Sequence, residues 1–168
     1  MMQQTIQEDQ SKPQYWADKL GLIVHPEGGQ FKELYRSQDL IQGQQRQSLS
    51  SIYFFLDHLS PISHFHEVDT TELFIFQHGA PMEIVKILED GSLKIEVLGP
   101  EIEKGQQLVC KIHPCKFFAS KTLGSYTLFS CVCCPAFQYE GFRMVPHKEL
   151  IEKYPQYEQI INEYALKI

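Results

Sequence analysis

The chain has 168 residues, 43% hydrophobic and 12% aromatic, enough to bury a globular core. Its net charge of -6, from 15 basic and 21 acidic residues with no basic run, leaves nucleic-acid binding without an electrostatic footprint. No apolar stretch approaches the ~20 residues that span a bilayer, so no membrane role is expected.

Residues 1–10 are polar and Gln-rich and read as a loose tail; residues 11–168 read as one domain with no internal repeat. No charged segment followed by an apolar one opens the chain, so no secretory signal is expected. Five cysteines, an odd count, point to reduced thiols and a cytoplasmic location.

Residues 11–20 read as a helix, with Pro13 in the first turn and Gly21 at the stop. The turn His25-Pro26-Glu27-Gly28-Gly29 leads into a strand over 30–37, where alternation puts Phe31, Glu33 and Tyr35 on one face and Lys32, Leu34 and Arg36 on the other. Residues 38–47 read as a loop, and 48–56 as an apolar strand ended by Pro61. Residues 72–76 are apolar on both faces, as in a strand enclosed on both sides. Strands at 82–88 and 93–98 flank Glu89-Asp90-Gly91, a hairpin signal. Further strands are expected at 108–112, 117–120 and 126–133, and helices from 148–154 and around Tyr157 to Tyr164. Many short strands at this spacing mean a sandwich or a barrel. Cys131 and Cys133 alternate along one strand and read as buried small hydrophobes, because paired Cys-x-x-Cys knuckles are absent.

The chemistry concentrates in residues 63–72, SHFHEVDTTE. His64 and His66, two apart on a strand, should project from the same face, and Glu72 opens the next strand. Two imidazoles and a carboxylate suit one divalent metal ion: Zn, Fe, Mn or Ni. His113 and His78 are candidates to complete the shell.

His-x-His, a Glu shortly after, and Gly79 seven residues beyond that Glu together resemble the first motif of the cupin superfamily. The turn at residues 25–29, the Tyr35-Arg36-Ser37 that follows, and the stretch YTLFSCVCCPAFQYEGF at 126–142 resemble one branch of it: small single-domain cupins long catalogued as a domain of unknown function. The resemblance implies an all-β, double-stranded β-helix, a jelly-roll-like barrel with the N-terminal and C-terminal helices packed outside. It also implies a homodimer and a small-molecule pocket inside the barrel. The chain departs from the superfamily pattern at several points. Five residues separate His66 from Glu72 where three or four are usual, Thr71 stands where an acidic residue commonly precedes the Glu, and His64 is extra relative to many members of the branch. Cys115 replaces a turn glycine, and Phe118 falls where the second motif supplies a further His.

Two chemistries stay open. In one, His64, His66 and Glu72 hold a metal. In the other, His66 is a general base oriented by Glu72, with Tyr53 or Tyr35 as the acid. Arg36 and Arg46 are candidates to bind an anionic ligand, and Phe74, Phe76, Phe117 and Phe118 to line an apolar wall. The functions in view are an isomerase or epimerase acting on a sugar-like or acidic substrate, a non-catalytic small-ligand binding or sensing protein, a metal-dependent oxygenase-type cupin, and a structural barrel.

Overall fold

The structure, a computed structural model, describes residue 9, residues 11–112 and residues 115–167. The proposed tail therefore falls outside the described residues, save Asp9. Helix α1, Pro13–Leu20, starts on Pro13 and stops at Gly21, which adopts the left-handed conformation (φ 64°) that glycine tolerates without strain. Eleven strands follow among the described residues: β1 Ile23–Val24, β2 Gln30–Arg36, β3 Ser50–Asp57, β4 Ile62–Val68, β5 Thr71–Gly79, β6 Met82–Ile87, β7 Leu93–Leu98, β8 Val109–Lys111, β9 Phe117–Thr122, β10 Tyr126–Cys134 and β11 Phe142–Met144. Helices α2, His147–Lys153, and α3, Glu158–Tyr164, come last. The short strands β1 and β11 carry too few residues to show a period, and the sequence pattern did not reveal them.

The strands form two antiparallel sheets, ordered β1-β2-β3-β10-β5-β8 and β11-β4-β9-β6-β7. Between them lies a core that includes Phe54, Leu56, Phe74, Met82, Ile84, Phe118 and Phe129. α2 and α3 cover the outer face of the five-stranded sheet over Phe65, Val85, Ile87 and Phe117. Trp16 and Leu20 of α1 cover Phe55, Tyr126 and Leu128 on the other sheet. This is the two-layered barrel with outside helices that the resemblance implied. β5 differs from expectation: it is not enclosed on both sides, since Leu73 is exposed.

Two irregularities aim side chains. The β2–β3 pairing slips between Glu33 and Tyr35, and the β4–β9 pairing slips between Ser63 and His66. A bulge adds a residue to one strand and reverses the in–out order beyond it. In β2 it puts Arg36 at the cavity with Phe31 and Glu33, against the strict alternation expected. In β4 it separates the two histidines.

Candidate functional site

A cavity of about 140 Å³ opens between the sheets, walled by aromatic side chains that include Phe31, Phe54, Phe74 and Phe137. His66 reaches it from β4. The ring is 2% exposed and lies edge-on to Phe118, with ring centroids 4.1 Å apart. Its Nδ1 is 2.6 Å from the backbone carbonyl of His64. A carbonyl only accepts, so Nδ1 carries the proton and Nε2 holds a lone pair. Burial pushes the imidazole pKa below its ordinary value, against the carbonyl bond and the Glu72 charge, which raise it.

Nε2 faces Glu27, which sequence reading treated only as part of a turn. Glu27 Oε2 is 3.4 Å from His66 Nε2 and 3.4 Å from His25 Nδ1. Glu27 Oε1 accepts a hydrogen bond from Ser63 Oγ at 2.7 Å. The turn is anchored because the His64 amide donates to the Glu27 carbonyl at 2.7 Å and the Gly29 amide donates to Ser60 Oγ at 2.7 Å. His25 Nδ1 accepts from the Glu27 amide, so it too presents a lone pair. The lone pair at His66 Nε2 facing Glu27 Oε2 favours a protonated carboxyl. Burial supplies the direction, raising Glu27 and lowering His25. Burial thus pushes Glu27 and both imidazoles toward their neutral forms.

Glu72, on β5, is directly opposite Cys133 of β10. The Cys133 thiol donates to Glu72 Oε1 at 3.2 Å, and Cys131 Sγ is 3.8 Å from Cys133 Sγ. Burial raises the Glu72 carboxyl to about 7, opposed by His66 and reinforced by Glu27. Cys131 is pushed up by its bond to Cys133 and by burial. For Cys133, burial and Glu72 outweigh the lowering effect of that same bond.

Several expected site residues lie elsewhere. His64 does not join His66: the β4 bulge turns it outward, where its Nδ1 donates to the Tyr164 carbonyl at 3.0 Å. Tyr53 alternates to the outer face of β3 and packs with Trp16 and Phe55. Tyr35 is exposed. Phe117 packs under α2 and α3, while its neighbour Phe118 faces inward. His78 is stacked near Tyr126 and bonds its hydroxyl at 2.8 Å, also on the outer face. His113 lies outside the described residues. Phe74 does line the cavity. Arg36 reaches the cavity but is tied to Glu33 at 2.7 Å and to the Phe137 carbonyl. Arg46 forms a bidentate pair with Asp69, both bonds 2.8 Å, away from the cavity. Arg46→Ala should therefore cost about 1 kcal/mol in urea unfolding and leave ligand affinity of the cavity unchanged.

Among the described residues, His64 does not join His66 and Glu72 as the motif implied. His64 points away, and the Phe118 ring, at the position where the superfamily's second motif supplies a His, lies edge-on to His66. Among the described residues of the expected metal ligand set, His66 and Glu72 face inward and His64 does not.

The sequence matches the family described as "Cupin superfamily (DUF985)" over residues 14–145. No curated protein matches significantly. A hypothetical protein from Leishmania major superposes with a TM-score of 0.86 at 28% identity, covering 93% of this chain and 99% of that one. A protein of Shewanella oneidensis superposes with a TM-score of 0.87 at 27% identity, covering 92% and 97%. Bacillus subtilis oxalate decarboxylase shares the fold at a TM-score of 0.55 and 14% identity, with 87% of this chain covering 37% of that one. A two-sheet barrel, an inward His–Glu centre and a family match across most of the sequence agree: this chain belongs to the cupin superfamily, in the DUF985 family.

Proposed function

We propose that the chain binds a small polar molecule inside the barrel and moves a proton on it, as an isomerase or epimerase does, with His66 as the base. The observation that carries this reading is the His66 ring: buried, fixed through Nδ1, and presenting a bare Nε2 to the cavity 3.4 Å from Glu27. The proton that His66 removes is returned to the ligand from the same ring, with Glu27 beside the imidazole while it is charged. The cavity volume, about 140 Å³, equals roughly five water volumes, which suits a compact hydroxy-carbonyl or sugar-like compound. An acidic substrate has less support, because Arg36 is already paired with Glu33 and Arg46 with Asp69.

The working form is inferred to be a homodimer. The exposed Ile23, Val24, Leu34 and Tyr35, on or beside the edge of the six-stranded sheet, support it. The reducing cytoplasm is supported by five free thiols. Among the described residues no helix is long and apolar enough to cross a membrane.

The test is deuterium uptake from solvent by a panel of small hydroxy-carbonyl compounds and sugars, followed by NMR. Wild-type protein should exchange at least one of them, and His66→Asn should slow that exchange about 100-fold with an unchanged circular dichroism spectrum. Binding without exchange would identify a sensing protein. Exchange that His66→Asn leaves intact would refute His66 as the base.

A further inference from the structure

A second chemical group lies on the cavity wall beside His66. On β10 the period of two sends Cys131 and Cys133 to the inner face, their sulfurs 3.8 Å apart. The antiparallel register puts Glu72 opposite Cys133. The two sulfurs and one carboxylate oxygen all lie within 4.8 Å of one another, and all three residues are buried. Two buried sulfurs in van der Waals contact would by themselves be ordinary core packing. Glu72 changes that reading. It is a buried carboxyl, 6% exposed, that accepts a hydrogen bond from the Cys133 thiol. A buried carboxyl is expensive to keep, and here it stands against two soft ligand atoms.

We propose that Cys131, Cys133 and Glu72 bind one thiophilic divalent cation of the zinc class. Two sulfurs and one oxygen make three of the four positions zinc prefers, and the fourth faces the cavity these residues line. On binding, each thiol gives its proton to solvent. The site differs from the His-x-His set of the motif in donor type and in the strand that supplies it. A cation there would polarise a ligand oxygen beside His66.

The experiment uses the full chain, purified without an affinity tag, and titrates it with cobalt(II) alone and then with zinc(II) alone. Expected are one ion per chain and a thiolate-to-cobalt charge-transfer band. Cys131→Ser and Cys133→Ser should each abolish the band and weaken zinc binding by more than about 100-fold, beyond the usual loss for a residue that only supports a ligand. Cys134→Ser, which alters the exposed neighbour, and His66→Asn should keep it. The His66 control separates this proposal from the proton-transfer reading, since it removes the base and spares the cation. Zinc-edge X-ray absorption of the wild type, which needs no variant to fold, should show two sulfurs at about 2.3 Å. No charge-transfer band, a band that persists in the Cys131/Cys133 double variant or is lost in Cys134→Ser, or a shell of nitrogen and oxygen alone would overturn the site.

Discussion

Gly28→Ala should destabilise the protein by on the order of 4 kcal/mol, the largest loss expected from any single added methyl group here. Gly28 sits at φ 105°, where a side chain is strained, and a Cβ there would lie 2.1 Å from the Ile62 carbonyl oxygen. Neither atom is a flexible side-chain end, so the turn itself must retreat from β4. That retreat breaks the His64 amide bond to the Glu27 carbonyl and the Ser63 bond to Glu27. The Glu27–His66 contact is thus lost together with the stability. Gly43→Ala is the matched control. Its φ is 78°, but nothing lies within 4 Å of the added Cβ, so only conformational strain of about 1 kcal/mol is expected. Urea midpoints of the two variants would check the difference; equal midpoints would mean that the turn is not packed against β4 as described.

Glu72→Gln should stabilise the chelator-treated protein by about 3 kcal/mol at pH 8 and by almost nothing at pH 4. The sign follows from where the proton goes. Unfolded Glu72 ionises near its ordinary 4.5, whereas the folded carboxyl holds its proton to about 7. Between these values unfolding releases a proton, so wild-type stability falls as pH rises from about 4.5 to about 7 and then levels off. The amide has no such proton and escapes the loss. Denaturant unfolding of both proteins from pH 4 to pH 8 reads the effect directly. Parallel curves would show that Glu72 ionises as freely in the fold as in the unfolded chain. A carboxyl that lowers stability at working pH is what a functional site requires more than a packed core does.

Much of the barrel was legible because alternation and turn chemistry are local. The Asp90-Gly91 turn joins β6 to β7 as its sequence implies, with Gly91 at φ 81°. The site was only partly legible. His66 and Glu72 face the cavity as the motif implied, but His64 does not, because strict period-two counting fails across the Ser63–His66 bulge. No residue type in SHFHEV announces that slip. Glu27 was visible only as part of the His25-Pro26-Glu27-Gly28-Gly29 turn. Its turn conformation could be read, but not that β4 would pack beneath it and enclose its carboxyl. Ser63, which bonds it, and His25, beside it, gain meaning only from that packing. Cys131 and Cys133 were correctly placed on one strand face, yet their contact with Glu72 depends on strand register, which links residues 61 apart in sequence.

The arrangement also explains why two histidines two residues apart serve different ends. The His64 ring fastens β4 to the end of α3. The His64 backbone carbonyl fixes the His66 ring, and the His64 amide fixes the Glu27 turn. One residue thus ties the outer helical layer to the inner Glu27–His66 pair through its three polar groups.

The tautomer of His66 tests the account most directly. Long-range proton–nitrogen NMR of imidazole-labelled, chelator-treated protein at pH 7 should show a neutral His66 ring protonated at Nδ1, with Nε2 bare. A charged ring, or a proton on Nε2, would contradict the base assigned to this cavity.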